Sequence, residues 1–406
     1  MLVFPTIVAA FLLLIITSYY RDDIYQLAAI VSFVGHVFVG LVLVPRTPYG
    51  WDIGNFHTVA LGIPQGEFIS ASTTVQTFGT IQGLLYIFFP SQPETMSIFN
   101  GLFAVLLVIP VVYLCRQLYP SLGDEQYGVM GLVLFLPLPF YILSIPMRDA
   151  LSVLLFFSLL ALSVKVLQTK KVILVSIGIL LWGLLNLIRP ELSFIFVLGF
   201  VAGITFILSK KVRVKFSLTK VVAMLGAVGV LGIGLFAEFL YDLDRANAEV
   251  AWRAQGGAVY LEGMEYSSWF DFILVAPIRA LYFQFAPFPV HIEQVFHLLG
   301  FTMTPIIIIL FVSAIRSLYH CDRNDTVAVF LIVVYLAGIT GYGLINSNFG
   351  TNVRHRIVFD FMLVVFAAPV LKKWELQIRR RLSVTPEHDN ETNNDNHKAE
   401  QLDSRV

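Results

Sequence analysis

Apolar residues run through this chain in long stretches, each bounded by charged or turn-forming residues, and these stretches dictate the architecture. A span needs about 17–25 mostly apolar residues to cross the ~30 Å hydrocarbon layer of a bilayer. By that measure the pattern predicts about eleven spans: 2–20, 26–44, 96–115, 128–146, 149–165, 172–188, 192–208, 221–240, 293–315, 326–343 and 356–371. Two further apolar pieces, about 77–90 and 272–289, are short or broken by Pro277, Pro287 and Pro289, which fits re-entrant or interfacial elements. The expected fold is an all-α, polytopic transmembrane helix bundle, with interfacial or re-entrant helices in two long outer segments, about 45–95 and 241–292. Both segments are rich in aromatic residues and prolines, as chain lying along a membrane interface is.

Composition agrees with lipid as the solvent. Hydrophobic residues make up 57% of the 406 and charged residues 13%, with a mean hydropathy of +0.78, too little charge to cover a water-facing surface. Lys and Arg near span ends stay on the cytoplasmic side. Lys372, Lys373 and Arg379 to Arg381 therefore place the C-terminus inside, and alternation brings Arg316 to Arg323, Lys210 to Lys220, Lys165 with Lys170 and Lys171, and Arg116 to the same side. This puts the N-terminus outside, in a cytoplasmic (plasma) membrane. The stretch 2–20 has no basic leader and no small-residue cleavage site, so a retained helix is expected. Residues 1–375 are read as one integral membrane domain and 376–406 as a cytoplasmic tail, largely disordered from about Ser383, where polar residues lose all apolar period. Cys115 and Cys321 both fall at cytoplasmic helix ends, which argues against a disulfide framework, and no Cys/His spacing suits zinc.

Charge that falls on the outer side gathers at a few span ends. The segment Trp51-Asp52-Ile53-Gly54-Asn55-Phe56-His57-Thr58-Val59-Ala60 puts Asp52 and Phe56 on one face if helical, with His57 beside them. A carboxylate there suits a general base towards a sugar hydroxyl, or a ligand for a divalent cation (Mg or Mn) bridging a phosphate. The plainer reading of Asp52 is a helix N-cap.

Arginines mark the other ends. Arg148-Asp149 follows a proline-punctuated helix end and opens a new apolar run. Buried Arg costs ~3 kcal/mol on insertion scales and must find an anion, either its neighbour Asp149 or a lipid phosphate. Arg189-Pro190-Glu191 repeats the theme, with Arg189 and Glu191 a ready ion pair. Arg354-His355-Arg356 places three potential cations at the entrance of the last span, behind the Gly/Asn-rich loop Asn346 to Asn352, a donor set that a pyrophosphate would satisfy. Headgroup attraction is the plainer reading. In 241–292, acids, arginines (Arg253, Arg279) and aromatic residues mix in a way that suits a sugar site or a charged interfacial helix equally.

Three pieces resemble the membrane-embedded glycosyltransferases of the GT-C type and the related bacterial polysaccharide polymerases: Trp51 to Ala60, Arg148-Asp149-Ala150 opening a helix, and Gly350-Thr351-x-x-Arg354-His355-Arg356. The resemblance implies a polyprenyl- or dolichyl-phosphate-linked sugar donor and a glycan or lipid-linked acceptor. It implies a catalytic or metal-linked role for Asp52, with Arg148, Arg189, Arg354 and Arg356 on the lipid phosphate. The acid here follows the second span and stands alone, and no Trp-Trp-Asp motif is present. The expected function is a membrane glycosyltransferase working on the outer face. Its candidate catalytic residues are Asp52 and His57, its candidate phosphate-binding residues Arg148, Asp149, Arg189, Glu191, Arg354, His355 and Arg356. A repeat-unit polymerase is the alternative within that chemistry, and a transporter or lipid-linked oligosaccharide flippase the alternative outside it. Membrane lipids are expected partners and nucleic acid is not.

Overall fold

The computed structural model of the protein describes residues 2–20, 22–43, 50–169, 171–211, 243–254, 259–261, 263–292 and 295–382. The expected span 221–240, the loop from 212 to 220 and the tail from 383 lie outside these residues. The helices are α1 (Val3–Ser18), α2 (Asp23–Val42), α3 (Gly50–Gln65), α4 (Thr73–Phe88), α5 (Pro93–Leu106), α6 (Val108–Leu118), α7 (Tyr127–Phe135), α8 (Pro137–Ser144), α9 (Asp149–Thr169), α10 (Val172–Ile188), α11 (Pro190–Lys211), α12 (Leu243–Arg253), α13 (Trp269–Phe285), α14 (Val295–His320), α15 (Asp325–Ile345) and α16 (Phe349–Leu382). Among the described residues the only extended pairing is an isolated antiparallel bridge between Val259 and Asn348.

Helix starts follow local chemistry. The Asp22 side chain accepts from Tyr25 N at 3.0 Å, and Asn324 Oδ1 accepts from Thr326 N and Val327 N, so each cap supplies an acceptor to an otherwise orphaned amide. Proline opens α5, α8 and α11, where its missing N–H costs nothing.

Among the described residues six helical stretches are long and apolar enough to cross a membrane: Asp23–Val42, Pro93–Leu118, Asp149–Thr169, Pro190–Ser209, Gly300–His320 and Asp325–Ile345. The pair α7 and α8, bent by 51° at Leu136, makes up to seven. The expectation of about eleven spans is thus met only in part. Helices α1 and α10 are apolar but have 16 and 17 residues. The expected span 356–371 lies inside the 34-residue α16, whose apolar run is interrupted by Asp360 and flanked by Arg354, Arg356, Lys372 and Lys373. The piece 77–90 belongs to α4, and 272–289 is α13 followed by a turn at Pro289–His291.

The chain forms two compact units, Met1–Leu114 with Glu125–Phe194, and Cys115–Asp124 with Ile195–Val406. In the first, α3 and α4 pack closely because Gly79 and Gly83 leave room for Val59 and Ile63: a Cβ at either glycine would lie within 2.6 Å of those side chains. His36 accepts or donates at 2.7 Å with Ser144 Oγ and stacks on Phe140, so it is a bundle-facing polar contact. The backbone irregularity around α8 is satisfied from neighbours. Ser32 Oγ donates to Leu134 O at 3.0 Å, and Asn100 Nδ2 donates to Ile145 O at 2.6 Å and Met147 O at 2.9 Å.

In the second unit α16 is the central element, buried on every side from Asn352 to Leu371. Gly338 on α15 makes room for the Phe359 ring. Gly343, one turn on, lies against the α13 backbone, where a Cβ would stand 2.8 Å from Arg279 C and O. The piece 115–124 joins this unit through Tyr119, whose hydroxyl donates to Phe366 O at 2.8 Å.

Candidate functional site

Asp52 stands half-buried in the first turn of α3, where a carboxylate favours the helix dipole. The helical register expected for 52–60 holds: Phe56, Val59 and Ala60 are buried and His57 sits at the edge of that face. His57 Nδ1 is 2.9 Å from Tyr86 Oη on α4, and Tyr86 Oη is 2.5 Å from Gln82 Nε2. Burial lowers the His57 pKa from 6.5, with Glu94 acting the other way, so the ring is neutral at pH 7. Among the described residues no three His, Cys, Asp or Glu side chains gather as a metal site. Asp52 and His57 alone do not fit a protein-held divalent cation.

The arginines of the first unit meet at one place. Asp149 opens α9, and its carboxylate is paired with Arg189, the residue that closes α10. Arg148 Nη1 donates to Ile188 O at 2.8 Å, so two guanidinium groups sit at the carboxyl end of α10, where the helix dipole favours cations. The carboxylate paired with Arg189 is therefore forty residues distant in sequence, and it is not Glu191. Glu191 begins α11 with Oε2 buried and without a hydrogen-bond partner.

In the second unit, Asn348 Oδ1 accepts from Gly350 N at 2.8 Å and Thr351 N at 3.3 Å, which starts α16. One turn later come Arg354, His355 and Arg356, all buried. His355 packs against the Tyr342 ring at 4.8 Å. Arg356 is 0% exposed; its Nη1 donates to Ala286 O at 2.5 Å and Gln284 O at 3.3 Å, and its Nε lies 3.4 Å from Asp360 Oδ2. Gln284 Nε2 donates to the other Asp360 oxygen at 3.0 Å. Arg279 on α13 is also 0% exposed: Nη1 donates to Ser347 Oγ at 3.1 Å, Nη2 to Met264 O at 3.0 Å, and the guanidinium lies 5.1 Å from the Tyr266 ring centre.

The segment 259–261 binds these parts together. Tyr260 N donates to Ser347 O at 2.9 Å and Tyr260 Oη to Asn346 O at 2.8 Å. Burial pushes the Tyr260 phenol up, against the pull of Arg279, Arg356 and Arg253, so all three cations act on one spot.

Buried charge separates the two units. Among the described residues the first buries Arg189 and Asp149, a balanced pair, while in the second Arg279 and Arg356 are fully buried and Asp360 is the fully buried carboxylate beside Arg356. A buried guanidinium without a counter-charge is costly, and Arg279, which has no carboxylate partner among the described residues, is such a group in the region at the entrance of α16. Three of its residues were not singled out by sequence: Arg279 was hidden in a charge-rich segment, and Asp360 and Gln284 in apolar ones. The signal available for Asp360 was a lone acid four residues after Arg356 in an apolar run.

No protein-family model and no curated protein matches the chain. A solved structure does. The oligosaccharyltransferase of Archaeoglobus fulgidus in its apo form is similar with a TM-score of 0.47 and 12% identity, over 95% of this chain and 54% of that one. The chain thus spans about half the length of that enzyme.

Proposed function

We propose that this protein is a membrane glycosyltransferase that takes its sugar from a polyprenyl- or dolichyl-phosphate-linked donor at the outer face of the cytoplasmic membrane. The observation that supports this reading is the pair of fully buried guanidinium groups near the entrance of α16, Arg279 and Arg356, of which only Arg356 has a carboxylate beside it among the described residues. Arginine forks match phosphate oxygens in pairs, and an apolar, helical surround suits a ligand whose anionic head carries a long hydrocarbon chain. The reaction is substitution at the anomeric carbon. The bond from that carbon to the donor phosphate breaks, a bond to the acceptor oxygen forms, and the acceptor proton passes to a base, for which Asp52 is the candidate. Charge left on the departing phosphate falls to the arginines.

The acceptor is a glycan or a lipid-linked glycan; the latter makes the enzyme a repeat-unit polymerase with the same chemistry. The topology that goes with the reading has the N-terminus, Asp52, Arg148 and Arg354 outside and the C-terminus inside. Cysteine labelling of intact cells at positions 52, 215 and 267 tests it: reaction at 52 and at the exposed position 267 with protection at 215 is expected, and the reverse removes the outer site.

The direct experiment incubates purified protein with a radiolabelled lipid-linked sugar and a glycan or lipid-linked glycan acceptor in detergent micelles. Transfer to acceptor with release of the lipid phosphate is expected. A flippase leaves the donor intact in micelles, and that result overturns the enzyme.

A further inference from the structure

Arg279 lies outside the Arg354-His355-Arg356 motif, on another helix, and its environment is unlike that of Arg356. Arg356 has Asp360 at 3.4 Å as a counter-charge and two backbone carbonyls on Nη1. Arg279 has a hydroxyl, one carbonyl and the face of a tyrosine, with no carboxylate partner among the described residues. All of these contacts are neutral. Among the described residues no anion faces this charge, and at 0% exposure water does not supply the screening either.

The hydrogen-bond ledger agrees. Buried side-chain atoms without a partner in this region include the N–H donors Arg279 Nε, Arg356 Nη2 and Asn346 Nδ2, beside the acceptors Gln284 Oε1, Asn352 Oδ1 and Asp360 Oδ2 around Arg356. Asn346 and Ser347 are neighbours in the segment that receives Tyr260, so one short stretch carries both an unused donor and the hydroxyl that orients Arg279. Gly343 lets α15 lie against the Arg279 backbone, and Tyr266 covers the guanidinium plane, leaving that fork little freedom. Unused donors around a rigid, uncompensated guanidinium match an oxyanion with several lone pairs, a phosphate above all.

We propose that Arg279 binds a phosphate oxygen of the lipid-linked donor, with Asn346 and Arg356 contributing further donors. This rests on the lipid-phosphate reading above and names a ligand-binding residue within it. The test uses the full chain in detergent micelles with four probes: a polyprenyl phosphate, the uncharged polyprenol of equal length, inorganic pyrophosphate and phosphatidylglycerol. Binding of polyprenyl phosphate and pyrophosphate, but not polyprenol, is expected for the wild type. Arg279→Lys keeps the charge and loses the fork, and is expected to weaken polyprenyl phosphate by about 10- to 100-fold at an unchanged melting temperature. Ser347→Ala serves if the lysine variant does not fold, with an expected loss of about 2- to 10-fold.

Wild-type affinity in either folded variant overturns the role of Arg279. If Arg356→Lys still loses binding in that case, the functional reading stands without it. A wild type that binds neither phosphate probe overturns both. Phosphatidylglycerol competing as strongly as polyprenyl phosphate assigns the site to bilayer headgroups and overturns the donor.

Discussion

Asp149 and Arg189 form a buried ion pair that joins the first residue of α9 to the residue closing α10, forty positions apart in the chain. Breaking one side strands the other charge in an apolar bundle. Asp149→Asn or Arg189→Met is expected to destabilise the protein by about 3–5 kcal/mol, and the double variant Asp149→Leu with Arg189→Met by much less. Denaturant or thermal unfolding in detergent measures this. Equal losses in the singles and the double sink the ion-pair argument.

Asp52→Asn removes the proposed base and keeps the shape. Sugar transfer is expected to fall to background while expression and melting temperature stay near wild type, since Asn is itself a sound residue for a helix start. Near-normal transfer returns Asp52 to a capping role.

Lysine at Arg354 or Arg356 retains charge and loses the planar fork. Each variant is expected to lose most turnover and most donor binding, because a point ammonium cannot make two parallel bonds to one phosphate. Turnover and donor affinity equal to wild type in both variants reject a specific clamp at that motif.

His57 gives a pH signature. Burial lowers its folded pKa below 6.5, so the unfolded chain takes up the proton first as pH falls. Stability from this group is complete above 6.5 and is lost as pH drops towards the folded pKa. The effect is small because the ring is half-exposed. His57→Gln is expected to flatten that part of the stability profile between about pH 7 and pH 5, and an unchanged slope argues against a neutral, buried-edge imidazole.

Gly343→Ala places a methyl 2.8 Å from the Arg279 backbone. The expected cost is about 1–3 kcal/mol from overpacking, with donor binding reduced because α13 must shift. The same substitution at Gly341, which has nothing within 4 Å of its Cβ position, is the control.

Much of the fold was legible because an apolar run and its charged or proline boundaries are local properties. The starts of α9 at Asp149 and α11 at Pro190 stand where the sequence puts them, whereas the single span expected over 128–146 is two helices bent at Leu136. Span number was less legible: α1 and α10, with 16 and 17 residues, stand at the lower edge of what a crossing needs, and α16 mixes a buried apolar run with charges. Pairing was not legible. Glu191 is two residues from Arg189, yet Asp149 is the partner because the helix ends meet in space. Arg279 looked like one charge among many, and only its packing between Tyr266, Ser347 and the α15 glycine seam sets it apart.

The bend between α7 and α8 carries a consequence for biogenesis. The carbonyls at this break and at the end of α8 are served by Ser32 and Asn100, both made earlier in synthesis, by 102 and 45 residues. When residues 127–147 leave the ribosome, the side chains that complete their backbone bonding are already made, so this broken segment has its partners waiting on arrival. A circular permutant that made 127–147 first would present those open carbonyls to lipid with nothing to meet them.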